Sequence, residues 1–271
     1  MTMPTFIYGT AWSQSATAEL VKTAVRAGFR AIDTANQPKH YAEALVGEAL
    51  QDIYQDGVSR DALWIQTKFT PLDGHDQRVP YDPKADFATR VNQSFESSLQ
   101  HLQVDRVDCY LLHGPSSSPE LGQEDWETWR AMEEIHRSGG AGSIGISNVN
   151  PGQLASLLKG AEIKPTIVQN RCYASRGWDR QVRAICQEQG ITYQGFSLLT
   201  ANVPVLRDPL MVSIARRLGV DARRVVFRFA MQAGIVPITG TTDEQHMKDD
   251  LAVERLALTA DEVSRIESIA S

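Results

Sequence analysis

The sequence predicts an α/β protein of the (β/α)8 TIM-barrel class, folded as a single domain over residues 1–271. Three observations predict it. Short apolar runs alternate eight times with longer stretches of helical period, the pattern of parallel βαβ units. The 271-residue length suits a barrel, which typically takes about 250 residues. The first apolar run leads into Gly9-Thr10-Ala11-Trp12, without the G-x-G-x-x-G turn expected of the competing doubly wound sheet.

In chain order, the first strand candidate is Thr5–Thr10, followed by helical period near 15–27. Phe29–Thr34 precedes a helix near 41–54. Leu63–Phe69 runs into the polar segment 71–83, read as a long loop on the active-site face, and then a helix near 86–101. Val107–His113 is followed by a helix near 125–137, Ser143–Ser147 by one near 151–159, and Thr166–Asn170 by one near 179–189. Thr192–Phe196 leads to helices near 208–218 and 222–232, and Ile235–Thr239 to helices near 243–252 and 259–270. Asp221 and Thr259 carry the short acceptor side chains of N-caps.

Composition narrows the function. Charged residues make up 22% and the formal net charge is -6, so no basic footprint for nucleic acid or anionic membrane is expected. No apolar run reaches the roughly 18 residues of a membrane span. The opening residues MTMPTFIYGT lack the basic and apolar regions of a signal peptide, and a cytoplasmic protein is expected. Cys109, Cys172 and Cys186 are scattered and read as free thiols, and the six histidines form no H-E-x-x-H pattern, so no metal site is expected.

The informative feature is the polar residues at the C-terminal ends of the strand candidates, which converge on one rim in a barrel. Asp33, Lys68 and His113 each close such a run; Ser147, Asn148, Gln169 and Asn170 sit at the ends of two more. Taken singly, Asp33 also reads as a turn residue, Lys68 as a snorkelling side chain, His113 as a structural histidine, and Ser147 and Asn148 as helix caps. Together, a carboxylate, an ammonium and an imidazole on successive strand ends assemble a site. Such a trio suits proton management at a carbonyl: the ammonium favours a nearby phenolate, the carboxylate holds the ammonium, and the imidazole hydrogen-bonds the carbonyl oxygen. Tyr41, the tyrosine near the end of the second strand candidate, is the candidate acid.

In this order, these residues resemble the aldo-keto reductase superfamily. The resemblance runs through Gly9-Thr10-Ala11-Trp12, the segment from Ala27 through Asp33 to Ala35, Val46-Gly47, Thr67-Lys68, Leu112-His113, Gly145-Ile146-Ser147-Asn148 and Val168-Gln169-Asn170. It implies a tetrad of Asp33, Tyr41, Lys68 and His113, with Tyr41 as general acid. It also implies a nicotinamide cofactor, NADPH with NADH as the second choice, extended over the rim. Ser147, Asn148 and Gln169 match positions that bind the carboxamide, Phe196 matches the ring that stacks on the nicotinamide, and Ser197 and Leu199 would line the pyrophosphate. Thr10 is assigned to the cofactor site as well.

Three departures stand out. The family places its tyrosine five residues after the aspartate; here Pro38 is there and Tyr41 lies eight on, so His40 and a purely packing role for Tyr41 stay open. The segment for the adenosine 2′-phosphate usually contains Pro-Lys-Ser and then an arginine. Here Ile238 replaces the lysine, leaving Thr239, Thr241, Thr242 and Lys248 as candidates, with Lys248 equally readable as a solvated helix residue. The family's N-terminal hairpin and long C-terminal tail are expected to be missing, giving an open pocket walled by Trp12, the 71–83 loop and the neighbourhood of Trp178; either tryptophan also reads as plain packing. The leading expectation is reduction of a small-molecule carbonyl. A nicotinamide-binding sensor or regulatory module with weak catalysis is the alternative that the displaced tyrosine raises, and a different barrel enzyme, such as a lyase or phosphosugar isomerase, is the third.

Overall fold

The computed structural model describes residues 3–269. Its strands are β1 (Ile7–Gly9), β2 (Ala31–Asp33), β3 (Trp64–Phe69), β4 (Cys109–Leu112), β5 (Ile144–Ser147), β6 (Ile167–Arg171), β7 (Thr192–Phe196) and β8 (Ile235–Thr239). They are parallel and close into a barrel in sequence order, with Ile7 of β1 opposite Ile238 of β8 and Tyr8 opposite Thr239. The helices are α1 (Thr17–Ala27), α2 (Glu43–Gln55), α3 (Phe87–Leu102), α4 (Gln123–Arg137), α5 (Pro151–Gly160), α6 (Arg180–Gln189), α7 (Pro209–Leu218), α8 (Ala222–Gln232), α9 (Glu244–Ala252) and α10 (Ala260–Glu267).

Local chemistry sets many of these boundaries. Asp221 accepts from the Arg224 N–H to start α8, and Thr259 forms a reciprocal capping box with Glu262 to start α10, as the sequence predicts. Asp86, Asp208 and Asp243 cap α3, α7 and α9, and Asn150 makes a second capping box with Gln153 ahead of α5. Several strands are shorter than their apolar runs: Thr5–Thr10 contributes only Ile7–Gly9, and His113 lies one residue beyond β4. A strand lasts only while neighbouring strands pair with it, and the hydrophobic run does not mark that limit.

Alternation within the strands divides the core into two layers. Tyr8, Ile32, Ile65, Tyr110, Ile146, Val168 and Tyr193 belong to the large cluster between barrel and helices. Ile7, Ala31, Trp64, Cys109, Leu111 and Ile167 form a separate cluster, contributed by the other face of the strands. Along that second face the side chains turn polar towards the C-terminal rim, at Gln66 and Lys68 of β3, Gln169 and Arg171 of β6, and Gln194 of β7. The polar rim thus rests on an apolar floor. Behind it, Gly47 lets α2 approach α3 closely, since a Cβ there would lie 1.9 Å from the His101 carbonyl oxygen. All three cysteines are free and buried, and burial pushes each thiol up to about 12, far from a reactive thiolate.

Candidate active site

Lys68 is fully buried at the upper end of β3, and Asp33 is 4% exposed at the end of β2. The Lys68 Nζ donates to Asp33 Oδ1 at 2.8 Å, to Asp33 Oδ2 at 2.7 Å and to the Thr34 carbonyl oxygen at 2.8 Å. All three ammonium protons are therefore accounted for, the condition under which a buried charge is tolerated. Burial alone would push the Lys68 ammonium down; the negative groups around it, Asp33 first, hold it above the ordinary lysine value. Beneath the pair, Gln66 and Gln169 each donate to Asp33 Oδ1, at 2.7 and 2.9 Å, and both also donate to Gln194 Oε1 at 2.9 Å.

Tyr41 stands beside this pair. The Lys68 Nζ is 5.2 Å from the centroid of its ring, and the His113 ring meets it edge-on at 5.9 Å. The lengthened turn delivers it there by coiling: the His40 and Tyr41 N–H groups both donate to the Gln37 carbonyl oxygen, at 3.1 and 3.0 Å. Trp12 fastens the turn from the β1 side. Its N–H donates to the His40 carbonyl oxygen at 2.7 Å, and its ring lies 4.1 Å from the His40 ring. Gln37 ties the other side by donating to the Gly74 carbonyl oxygen at 2.7 Å. Burial raises the Tyr41 phenol above its ordinary value, and the opposing pull of Lys68 does not overcome it. The phenol is protonated at neutral pH and ready to donate.

His113 is held in the neutral form. Burial, followed by the repulsion of Lys68, pushes its imidazole well below the ordinary histidine value. The Thr70 hydroxyl lies 2.8 Å from Nδ1. In the tautomer whose Nδ1 accepts from Thr70, the proton of the neutral ring sits on Nε2, a hydrogen-bond donor without a full positive charge.

A cleft of about 730 Å³ opens above these groups. Of the predicted residues, Trp12, Asp33, Tyr41, His113, Ser147, Asn148, Gln169, Phe196, Ser197, Leu199, Thr239 and Thr241 border it. Five predicted residues do not: Lys68, fully buried beneath the cleft, and four others. Thr10 is buried and donates its hydroxyl to the Asp33 carbonyl oxygen at 3.0 Å, a brace behind the site. Thr242 and Lys248 are exposed away from the cleft, and the Lys248 ammonium pairs with Glu244 at 2.6 Å. Trp178 corrects the expected pocket wall: it is fully buried, packs at a tilt with its ring 4.9 Å from that of Phe229, and donates its indole N–H to the Ile266 carbonyl oxygen at 3.1 Å. The C-terminal helix α10 covers the face that was expected to meet substrate.

At the mouth, the Ser147 hydroxyl donates to the Gln169 carbonyl oxygen at 2.6 Å, and Asn148 Nδ2 donates to the His113 carbonyl oxygen at 2.8 Å. The Asn148 and Gln169 amide oxygens are left without protein partners among the described residues, as acceptors for a carboxamide N–H₂. The Phe196 ring lines the same cleft, so the two acceptor oxygens and an aromatic ring fit a nicotinamide. Sequence reasoning missed Gln66, Gln194, Thr70, Gln37 and Arg171. Gln66 and Gln194 lie two residues below Lys68 and Phe196, on the same strand face, which is the signal that would have found them.

Known proteins resemble this chain throughout its length. A model of the aldo/keto reductase family matches residues 2–271. The uncharacterized oxidoreductase YtbE of Bacillus subtilis is 32% identical over 251 residues, covering 92% of this chain and 82% of that protein. Glyoxal reductase of the same organism is 29% identical over 253 residues, covering 93% and 82%. Among solved structures, a Bombyx mori aldo-keto reductase in complex with NADP superimposes with a TM-score of 0.83 at 25% identity, over 98% of this chain and 89% of that one.

Proposed function

We propose that this chain, which belongs to the aldo/keto reductase family, reduces an aldehyde or ketone to an alcohol with Tyr41 as the proton donor. Family membership makes it an oxidoreductase. The observation that carries the finer reading is the position of Tyr41, within 5.2 Å of Lys68 and edge-on to His113. Asn148 and Gln169 would hold the carboxamide of a nicotinamide cofactor, and Phe196 would meet its ring. That cofactor, when bound, supplies a hydride to the carbonyl carbon. NADPH is the proposed form, in keeping with the NADP held by the Bombyx mori neighbour, and NADH is the second choice because Ile238 carries no charge.

His113 Nε2–H orients the carbonyl oxygen by hydrogen bonding. As negative charge develops on that oxygen, Tyr41 passes its proton to it, and the ammonium of Lys68 stabilises the phenolate left behind. Asp33 keeps Lys68 charged and in place. Hydride and proton together complete the alcohol. The lengthened turn still brings Tyr41 beside Lys68 and His113, although its count from Asp33 differs from the family's, and this supports the reading.

The test is Tyr41→Phe with a panel of aldehydes and diketones. The rate of the chemical step should fall by about 10²–10⁴-fold. The NADPH dissociation constant, read by fluorescence, should stay within about threefold. An unchanged slow rate in Tyr41→Phe would remove Tyr41 from the chemistry and favour a nicotinamide-binding sensor.

A further inference from the structure

We infer that Arg171 makes the cleft selective for carbonyl substrates that also carry a carboxylate. The inference rests on the reductase reading for the reacting group, and on Arg171 itself for the anion. Arg171 ends β6, on the same strand face as Gln169. In register it sits opposite Phe196 of β7. The four residues before it in the strand are buried, whereas Arg171 is exposed and borders the cleft.

Its guanidinium lies 5.4 Å from the centroid of the Phe196 ring. A cation over a ring at that distance is held by the ring's electrons, a contact that uses none of the guanidinium's hydrogen-bond donors. Its one side-chain hydrogen bond among the described residues is a long contact with the Tyr173 hydroxyl, at 3.4 Å. No carboxylate lies within ion-pair distance of it among those residues, whereas Asp33, the buried acid of the site, is matched by Lys68. Asp73 also borders the cleft, but it lies across the barrel mouth in the loop after β3, exposed to water.

The guanidinium is therefore an unmatched cation at the mouth of a cleft whose floor is electrically balanced. A carboxylate fits its fork through two parallel hydrogen bonds, and the adjacent aromatic ring removes part of the water that would weaken them. Placed there, the carboxylate sits beside the ring assigned to the nicotinamide, so binding it also positions the carbonyl for reduction. Phosphate offers the same anionic chemistry and would come from the cofactor; the experiment separates the two sources.

The experiment compares 4-carboxybenzaldehyde with 4-carbamoylbenzaldehyde, which match in shape and differ in charge. For the wild type, kcat/KM should favour the acid by about 10- to 100-fold, the range of a charge-assisted hydrogen-bonded pair. Arg171→Met should abolish the preference, and Arg171→Lys should keep part of it. Equal kcat/KM values in the wild type would overturn the inference. So would an Arg171→Met variant that keeps its preference but binds NADPH about tenfold more weakly, which would assign the guanidinium to cofactor phosphate. A binding arm stands apart from turnover: calorimetry of benzoate against benzamide, with and without NADPH, should show tighter benzoate binding in the wild type and none of that difference in Arg171→Met. If that difference appears and no aldehyde is reduced, the reductase reading fails and the carboxylate site stands. If aldehydes are reduced without either preference, the carboxylate site alone fails.

Discussion

The rim of the barrel has two arcs that obey different rules. The arc from β2 to β4 carries Asp33, Lys68 and His113, with Asp33 and Lys68 buried and their polar atoms tied to named partners. The arc from β6 to β8 carries Arg171, Phe196 and Thr241, which are exposed or half-buried, while Lys248 points into solvent beyond it. A buried charge that loses its partner costs several kcal/mol, so residues of the first arc cannot change one at a time. A group in water loses little when replaced, so the second arc is free to vary. In the proposed reaction the first arc holds the groups that the chemistry uses, and the second is where selectivity for substrate and cofactor would differ.

The largest expected effect is on the first arc. Lys68→Met should lower the rate of the chemical step by about 10²–10⁴-fold while cofactor still binds. It should also destabilise the fold by about 3–5 kcal/mol, because Asp33 is left buried without its cation. The double variant Asp33→Asn/Lys68→Met should regain most of the melting temperature and none of the rate. Recovery of both together would dissolve the distinction between structural and chemical roles in this arc; a single variant with wild-type turnover would remove Lys68 from the mechanism.

An intermediate effect is expected where the second arc meets the core. Asp250 of α9 is 5% exposed and accepts from the Thr239 hydroxyl at 2.9 Å, and burial pushes its carboxyl up from 3.8 to about 7. A carboxyl raised in the folded state favours folding while protonated. That contribution is fully present below the ordinary value of 3.8 and is lost as pH rises through about 7. Asp250→Asn should therefore be more stable than the wild type at pH 8, by on the order of a few kcal/mol, with the difference shrinking towards pH 4. Thermal melts at the two pH values read this directly, and a difference that grows in acid would reverse the sign and sink the argument. The smallest effect is expected at Lys248, whose pair with Glu244 is exposed. Lys248→Ala should change stability by less than about 0.5 kcal/mol. It should leave the NADPH dissociation constant within about twofold; a tenfold loss that fades at high salt would instead put Lys248 at the cofactor.

The difference between the arcs also explains what was legible in the sequence. The eight apolar runs matched the eight strands because a parallel barrel buries its strands on both faces. Asp33, Lys68 and His113 stood out because charged or titratable residues at the ends of such runs need a reason. Gln66 and Gln194 were passed over because an uncharged amide within an apolar run carries no comparable alarm, although the pair underpins Asp33. Trp178 misled because an aromatic residue in a loop reads the same whether it walls a cavity or fills one; what buries it is α10, nearly ninety residues further along the chain. Tyr41 was harder to read because residue counting measures distance along the chain, whereas the coiled turn at Gln37–Tyr41 sets where the ring ends in space, beside Lys68 and His113.

One oxygen atom has a mechanical consequence. Asp33 Oδ1 accepts from Lys68 and Gln66 of β3 and from Gln169 of β6, strands on opposite sides of the ring. Those three bonds act as a rivet across the barrel mouth. They brace one arc against the other beneath the cleft. Above the rivet the cleft is bordered by Trp12, 67% exposed on its His40 perch, and by the loop after β3. The cleft is thus walled by loops and floored by a cross-braced frame.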